Sequence, residues 1–161
     1  NTMIDQRMHT IADKLKAVGY RTHQAGKWHA GYYLMSLTPK GRGFDTSIGY
    51  FECCEDHFTH VGRVCNKSVD LWDTDRPAVG YDGVYGDYVY FERAVTTIET
   101  HANSTTAPLF FYLASQSSHI PSQAPVRFQE MYDKKTVPAL VEYAMSSVID
   151  EGVANITAGI H

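Results

Sequence analysis

The stretch Thr10 to Gly31, TIADKLKAVGYRTHQAGKWHAG, decides the fold, because a helix, its stop signal, a strand and a polar strand exit follow one another within it. Thr10-Ile11-Ala12-Asp13 is a capping-box variant: the Thr10 hydroxyl can accept from the Asp13 amide, and Asp13 lies favourably in the first turn. Ile11, Leu15 and Val18 recur at helical spacing, and Gly19 is placed for the left-handed residue that ends a helix. The pattern predicts a helix from about Thr10 to Val18 and a short strand from about Tyr20 to Gln24.

Gly26-Lys27-Trp28-His29 comes next. If the backbone stays extended, Lys27 and His29 face one way and Trp28 the other, so Trp28 anchors the core while two polar heads face a cleft. Gly26 and Gly31 carry no Cβ and let the chain turn or approach a ligand closely. A cation beside an imidazole suits an anionic substrate whose reaction moves a proton. Spacing alone leaves the other reading open, in which Lys27 is a solvated lysine and His29 a loop histidine.

Further along, Pro39 to Tyr50 (PKGRGFDTSIGY) reads as loop, and Phe51 to Gly86 as irregular chain with room for one unplaced hairpin. From Gly86 to His101, Val89, Phe91, Ala94, Val95 and Ile98 alternate with Glu92, Arg93 and Glu99 as in an amphipathic helix. Leu109 to Ala114 is apolar on both faces, as a buried parallel strand would be. A last helix from about Ala139 to Ile160 lines up Leu140, Ala144, Val148, Gly152, Ile156 and Ile160. Together these elements predict an α/β fold with a sheet covered on both faces. Ligands in such sheets bind beyond the carboxyl ends of the strands, which singles out His119, in the segment Ser115 to His119, beside Lys27 and His29. Taken alone, His119 reads sooner as a histidine packed at the strand end and hydrogen-bonded to backbone.

Composition excludes several functions. The 161 residues carry a net charge of −4, with 14 basic and 18 acidic side chains in no long run, so no nucleic-acid partner is expected. No apolar run approaches the roughly 20 residues of a membrane helix, so no membrane span is expected. The chain opens on Asn1 with a polar segment and ends inside a helical pattern, so it reads as cut from something longer. Cys53 and Cys54 are adjacent, so at most one can comfortably bridge to Cys65. Asn66, Asn103 and Asn155 each begin an N-glycosylation triplet, and with a possible bridge they favour a secreted or lysosomal route. Cys53, Cys54, Asp56, His57 and His60 include a His-x-x-His that could ligate zinc, but match no closed four-ligand pattern. A surface loop is expected there, and no metal ligand is assigned.

Beyond these local readings, LKAVGYRTHQAGKWHAG followed by GRGFDTSIGYFECCEDHFTH resembles the central part of a sulfatase, where Gly-Lys-Trp-His precedes an Arg-Gly-Phe-Asp loop. PLFFYLASQSSHIPSQAP resembles the family's second histidine segment, and YAMSSVIDEGVANITAGI the helix that follows. The likeness is nearest to the arylsulfatase B branch. It implies an alkaline-phosphatase-like α/β sulfatase fold, here partial: a mixed or mostly parallel sheet flanked by helices. By resemblance Lys27 binds the sulfate, His29 contacts a formylglycine nucleophile and helps release sulfate, and His119 touches the sulfate ester oxygens and assists the leaving alcohol. The family also uses calcium. Neither its acidic calcium ligands nor a Cys/Ser-x-Pro-x-Arg nucleophile motif is found in these residues, so both are expected outside this chain. Ala30 stands where the family usually has Leu. Residues 1–161 are therefore expected to be the central part of one sulfatase catalytic domain, incomplete at both ends and inactive alone. The full-length protein is expected to act on a sulfate ester, such as a sulfated glycan or glycosaminoglycan. Two competing readings are a sulfatase-like protein that binds sulfated glycans without turnover, and a phosphoesterase on the same fold.

Overall fold

The computed structural model describes residues 3–63 and 68–160. In chain order the elements are α1 (Ile11–Ala17), β1 (Arg21–Gly26), β2 (Thr46–Gly49), β3 (Trp72–Asp73), β4 (Arg76–Pro77), α2 (Gly86–Ser104), β5 (Leu109–Ala114), α3 (Val126–Gln129) and α4 (Leu140–Ala158). Helix α1 is capped at both ends by the residues that predicted it. Thr10 Oγ1 accepts from the Asp13 amide at 3.1 Å, and Asp13 Oδ2 accepts from the Thr10 amide at 2.8 Å. At the other end the Gly19 and Tyr20 amides donate to the Lys16 and Leu15 carbonyls, both at 3.1 Å, with Gly19 at φ 93°. That is the helix-ending geometry a residue without a Cβ adopts at least cost.

The sheet runs β4-β3-β2-β1-β5. β1 pairs parallel with β2 on one side and with β5 on the other, while the β3–β4 hairpin adds two antiparallel strands beyond β2. It is a mixed sheet flanked by helices, and the expected hairpin is β3–β4. The loop predicted over Pro39 to Tyr50 is corrected by β2. Thr-Ser-Ile-Gly is too short to show an apolar period, and the strand exists because its neighbours pair with it.

Helix α2 lays Val89 and Tyr90 over Ala25, Ile48, Tyr50 and Leu71, with Phe111 and Leu113 of β5 against the same cluster. Phe91, on another side of α2, meets Ala144, Met145 and Val148 of α4. Each Val, Ile, Leu, Phe or Met side chain among these, taken fully from water, contributes about 1.5–3 kcal/mol. Gly152 belongs to this contact, since a Cβ there would lie 2.3 Å from the Phe91 ring. The predicted face of α4 holds from Ala144 to Gly152, but Ile160 is exposed.

Coverage of the sheet differs from expectation. On the face away from α2, Phe44 stacks on Phe110 and Tyr112 at 6.2 and 6.4 Å, and Tyr112 is still 47% exposed. β5 is thus parallel as predicted but only partly buried, because among the described residues it pairs with β1 alone. The strand exits of β2, β1 and β5 crowd together at two glycines. A Cβ on Gly26 would sit 1.9 Å from the Ala114 carbonyl oxygen, and one on Gly49 would sit 1.9 Å from that of Gly26. No other residue lets three main chains leave the sheet this close together.

Candidate active site

From that crossing the main chain of Lys27, Trp28 and His29 is shared between neighbours. The Lys27 amide donates to Ala114 O at 2.9 Å, the Trp28 amide to Tyr50 O at 3.0 Å and the His29 amide to Phe51 O at 3.2 Å. The extended alternation expected for these residues is corrected, because Gly26 has φ 97° and His29 φ 49°. Trp28 nevertheless anchors the segment: its Nε1 donates to Gly31 O and Leu37 O, both at 2.9 Å, and its ring meets Phe44 edge-on. Lys27 is half-buried, His29 is exposed, and among the described residues no carboxylate pairs with Lys27. A left-handed histidine is uncommon, and such backbone is kept where surroundings enforce it.

His119 follows β5 at the same end of the sheet, since Ala114 registers with Gly26. Its amide donates to Gln116 O at 3.1 Å, and its Nδ1 contacts Ile120 O at 2.9 Å. A carbonyl can only accept, so Nδ1 carries the proton and Nε2 is the nitrogen left for a ligand. The turn beneath is held by Asp87, a fully buried carboxylate in the first turn of α2. Asp87 accepts from the Ser115 hydroxyl at 2.8 Å, the Gln116 amide at 2.9 Å, the Ser117 amide at 3.0 Å and the Ser117 hydroxyl. The sequence reading missed this residue. Its signal was an Asp at the start of a helix beside a glycine, in GDYVYFERA.

The loop from Cys53 to His60 was expected at the surface, and this too is corrected. Glu55, His57 and His60 are fully buried, with Glu55 paired to His60 and both histidine rings tied to backbone carbonyls. His57 Nε2 donates to His119 O at 3.3 Å, and its ring stacks on Tyr85. His57 thus supports the second histidine segment instead of binding zinc, and burial lowers its pKa. Gln123 ties the two loops together: its Oε1 accepts from the His57 amide at 2.9 Å, and its Nε2 donates to Asp56 at 2.7 Å. An open cleft of about 660 Å³ lies against Asp56, Arg63 and Pro121. A second cleft of about 560 Å³, lined by Arg21, His23, Arg93 and His101, opens at the amino ends of β1 and β2, away from Lys27 and His119. Among the described residues no group of three His, Cys, Asp or Glu side chains could hold a metal ion. Cys53 and Cys54 are free thiols, while Cys65 and the Asn66 triplet lie outside the described residues.

Glu55 sets a pH dependence. Burial pushes its pKa up to about 7, against the hydrogen bonds from His60 at 3.5 Å and the Tyr90 hydroxyl at 3.0 Å. The folded chain holds this proton more tightly than the unfolded chain, so Glu55 costs stability as pH rises from its ordinary value of 4.5 through about 7. His60, whose pKa is raised by its bond to Glu55 against the opposing effect of burial, acts in the same direction. Glu55→Gln is expected to match the wild type near about pH 5 and to exceed it by about 2–3 kcal/mol near about pH 8. Urea midpoints of the full-length protein at the two pH values check this, and a constant difference between them would contradict it.

Comparison with known proteins adds a family to this geometry. Residues 2–157 match the family profile described as Sulfatase. Arylsulfatase J of Mus musculus is 40% identical over 157 residues, covering 94% of this chain and 26% of that protein. The ulvan-active sulfatase of Formosa agariphila is 33% identical over 131 residues, covering 79% of this chain and 24% of its own length. The chain therefore spans about a quarter of the curated relatives it matches. The crystal structure of Ps i-CgsB in complex with k-i-k-neocarrahexaose superposes with a TM-score of 0.84 at 21% identity, over 99% of this chain and 38% of that one. At that identity the likeness concerns the fold.

Proposed function

The chain belongs to the sulfatase family, and from that premise we propose that residues 1–161 are the central part of one sulfatase catalytic domain, incomplete at both ends, whose full-length protein hydrolyses sulfuric esters. The observation that carries the reading is that Lys27 and His29, and separately His119, leave neighbouring parallel strands at one end of the sheet. Sulfate transfer places negative charge on the sulfate oxygens and on the departing alcohol oxygen. Lys27, which pairs with no carboxylate among the described residues, binds the anion. His119 presents Nε2 towards the ester, where its protonated form donates to the leaving oxygen. His29, held on the β2 side by the Phe51 carbonyl, faces the sulfate from a second direction and moves a proton during its release.

Formylglycine supplies the nucleophile in this family. None of the three cysteines here is followed by x-Pro-x-Arg, so the residue is expected on another segment of the full-length protein. The described residues do not fit a calcium site, so calcium too is expected outside this chain, and no step above depends on it. The substrate class we favour is a sulfated glycan, such as a glycosaminoglycan, with Arg63 in the adjoining cleft available to a further anionic group. The relative named for activity on ulvan supports that preference. No described helix is long and apolar enough to cross a membrane. With Asn103 and Asn155 exposed on α2 and α4 as glycosylation sites, and Asn66 as a third, the protein is assigned to the lysosome or to secretion.

The test compares three readouts on the full-length protein: sulfate released from an aryl sulfate, phosphate released from the matching aryl phosphate, and binding to a sulfated glycosaminoglycan. Sulfate release is expected to dominate, and the isolated 161-residue chain is expected to show none. Binding without release of either anion would sink the enzymatic reading in favour of a non-catalytic binder. Faster phosphate release would point to a phosphoesterase.

A further inference from the structure

We propose that Cys53 and Cys54 form a redox couple that closes to a vicinal disulfide by exchange with a small-molecule disulfide. Their Sγ atoms lie 3.3 Å apart, and both are free thiols. Adjacency in sequence does not produce that distance, because successive side chains of an extended segment point to opposite faces. Here the backbone is held on either side of the pair. The Phe51 and Glu52 amides both donate to Asp70 Oδ2, at 3.1 and 2.8 Å, and Cys54 O accepts from the Arg63 amide at 3.2 Å. The two sulfurs are therefore positioned together by the loop.

Access differs between them. Cys53 is half-buried and can be reached from solvent, whereas Cys54 is 8% exposed. Burial and the contact with Cys53 push the Cys54 thiol up, while the charges of Arg63 and Lys27 favour its thiolate. Cys53 is thus the entering group and Cys54 the resolving one. The Cys53 thiolate attacks one sulfur of oxidised glutathione and expels the first glutathione thiolate. Cys54 then attacks Cys53 Sγ in the mixed disulfide and expels the second. The two thiol protons pass to the released thiolates, so the cysteines lose two electrons and the glutathione disulfide gains them. Closure draws the sulfurs from contact to the covalent distance of about 2 Å.

The couple does not rest on the sulfatase reading, and its test reads chemistry alone. The full-length protein is incubated with oxidised glutathione, its thiols are labelled with a maleimide, and the peptide spanning residues 51–56 is weighed. The expected result is loss of both labels together and a peptide lighter by two hydrogens, without an added glutathione, reversed by dithiothreitol. Cys65→Ser is expected to leave this unchanged, and Cys54→Ala to trap glutathione on Cys53. A lasting glutathione adduct on wild-type Cys53, a bridge from either residue to Cys65, or two thiols still open to label would each overturn the proposal.

Discussion

Lys27→Ala in the full-length protein is expected to lower kcat for an aryl sulfate by about 10²–10³-fold while leaving the melting temperature near that of the wild type. The size follows from removing one preorganised positive group where charge gathers in the transition state. The unchanged stability follows from the position of the side chain. Lys27 is half-buried and makes no ion pair among the described residues, so its loss orphans no partner. The backbone bond that places it comes from its amide, which alanine keeps. Steady-state kinetics and a thermal melt on the same preparation decide the matter. A kcat within about threefold of the wild type would remove Lys27 from the site. So would a melt so reduced that folding explains the loss.

Asp87→Ala is expected to cost both stability and activity. Two amides and two hydroxyls converge on this buried carboxylate. The hydroxyls can turn to other acceptors, but the Gln116 and Ser117 amides cannot. At about 1–3 kcal/mol for each buried donor left unpaired, the loss of the two amide partners is expected to be about 2–6 kcal/mol. The turn that carries His119 then loses its fixed point, so turnover falls towards that of His119→Ala, and combining the two substitutions adds little further. Asp87→Asn keeps one acceptor and the shape of the side chain, so it is expected to recover part of both properties. Urea denaturation and kcat across the three variants form the measurement. If Asp87→Ala keeps wild-type turnover while losing stability, the residue props the fold without positioning His119.

Much of the fold was legible because some segments announce themselves locally. Thr10, Asp13 and Gly19 specify both ends of α1 within a few residues, and Leu109 to Ala114 is long and apolar enough to be read as a strand. β2 and the Glu55–His60 loop were not legible for the opposite reason. Thr46 to Gly49 has no period of its own, and the burial of Glu55 and His57 depends on Tyr90, Gln123 and His119, which lie far away in sequence. The candidate site divides in the same way. Lys27, His29 and His119 could be singled out as candidates because a strand exit is a place the chain itself marks. Asp87 acts across the fold on another element, and no short window of sequence records that.

The crossing at Gly26 has a mechanical consequence. Lys27 is fastened to the β5 side through Ala114, whereas Trp28 and His29 are fastened to the β2 side through Tyr50 and Phe51. The cation and the imidazole therefore ride on different levers that share a fulcrum at Gly26. A displacement of the loop after β2 swings His29 while Lys27 stays with β5, so the angle between the two heads is an adjustable jaw. Changes near Phe51 would then alter the angle between the two heads without altering either residue.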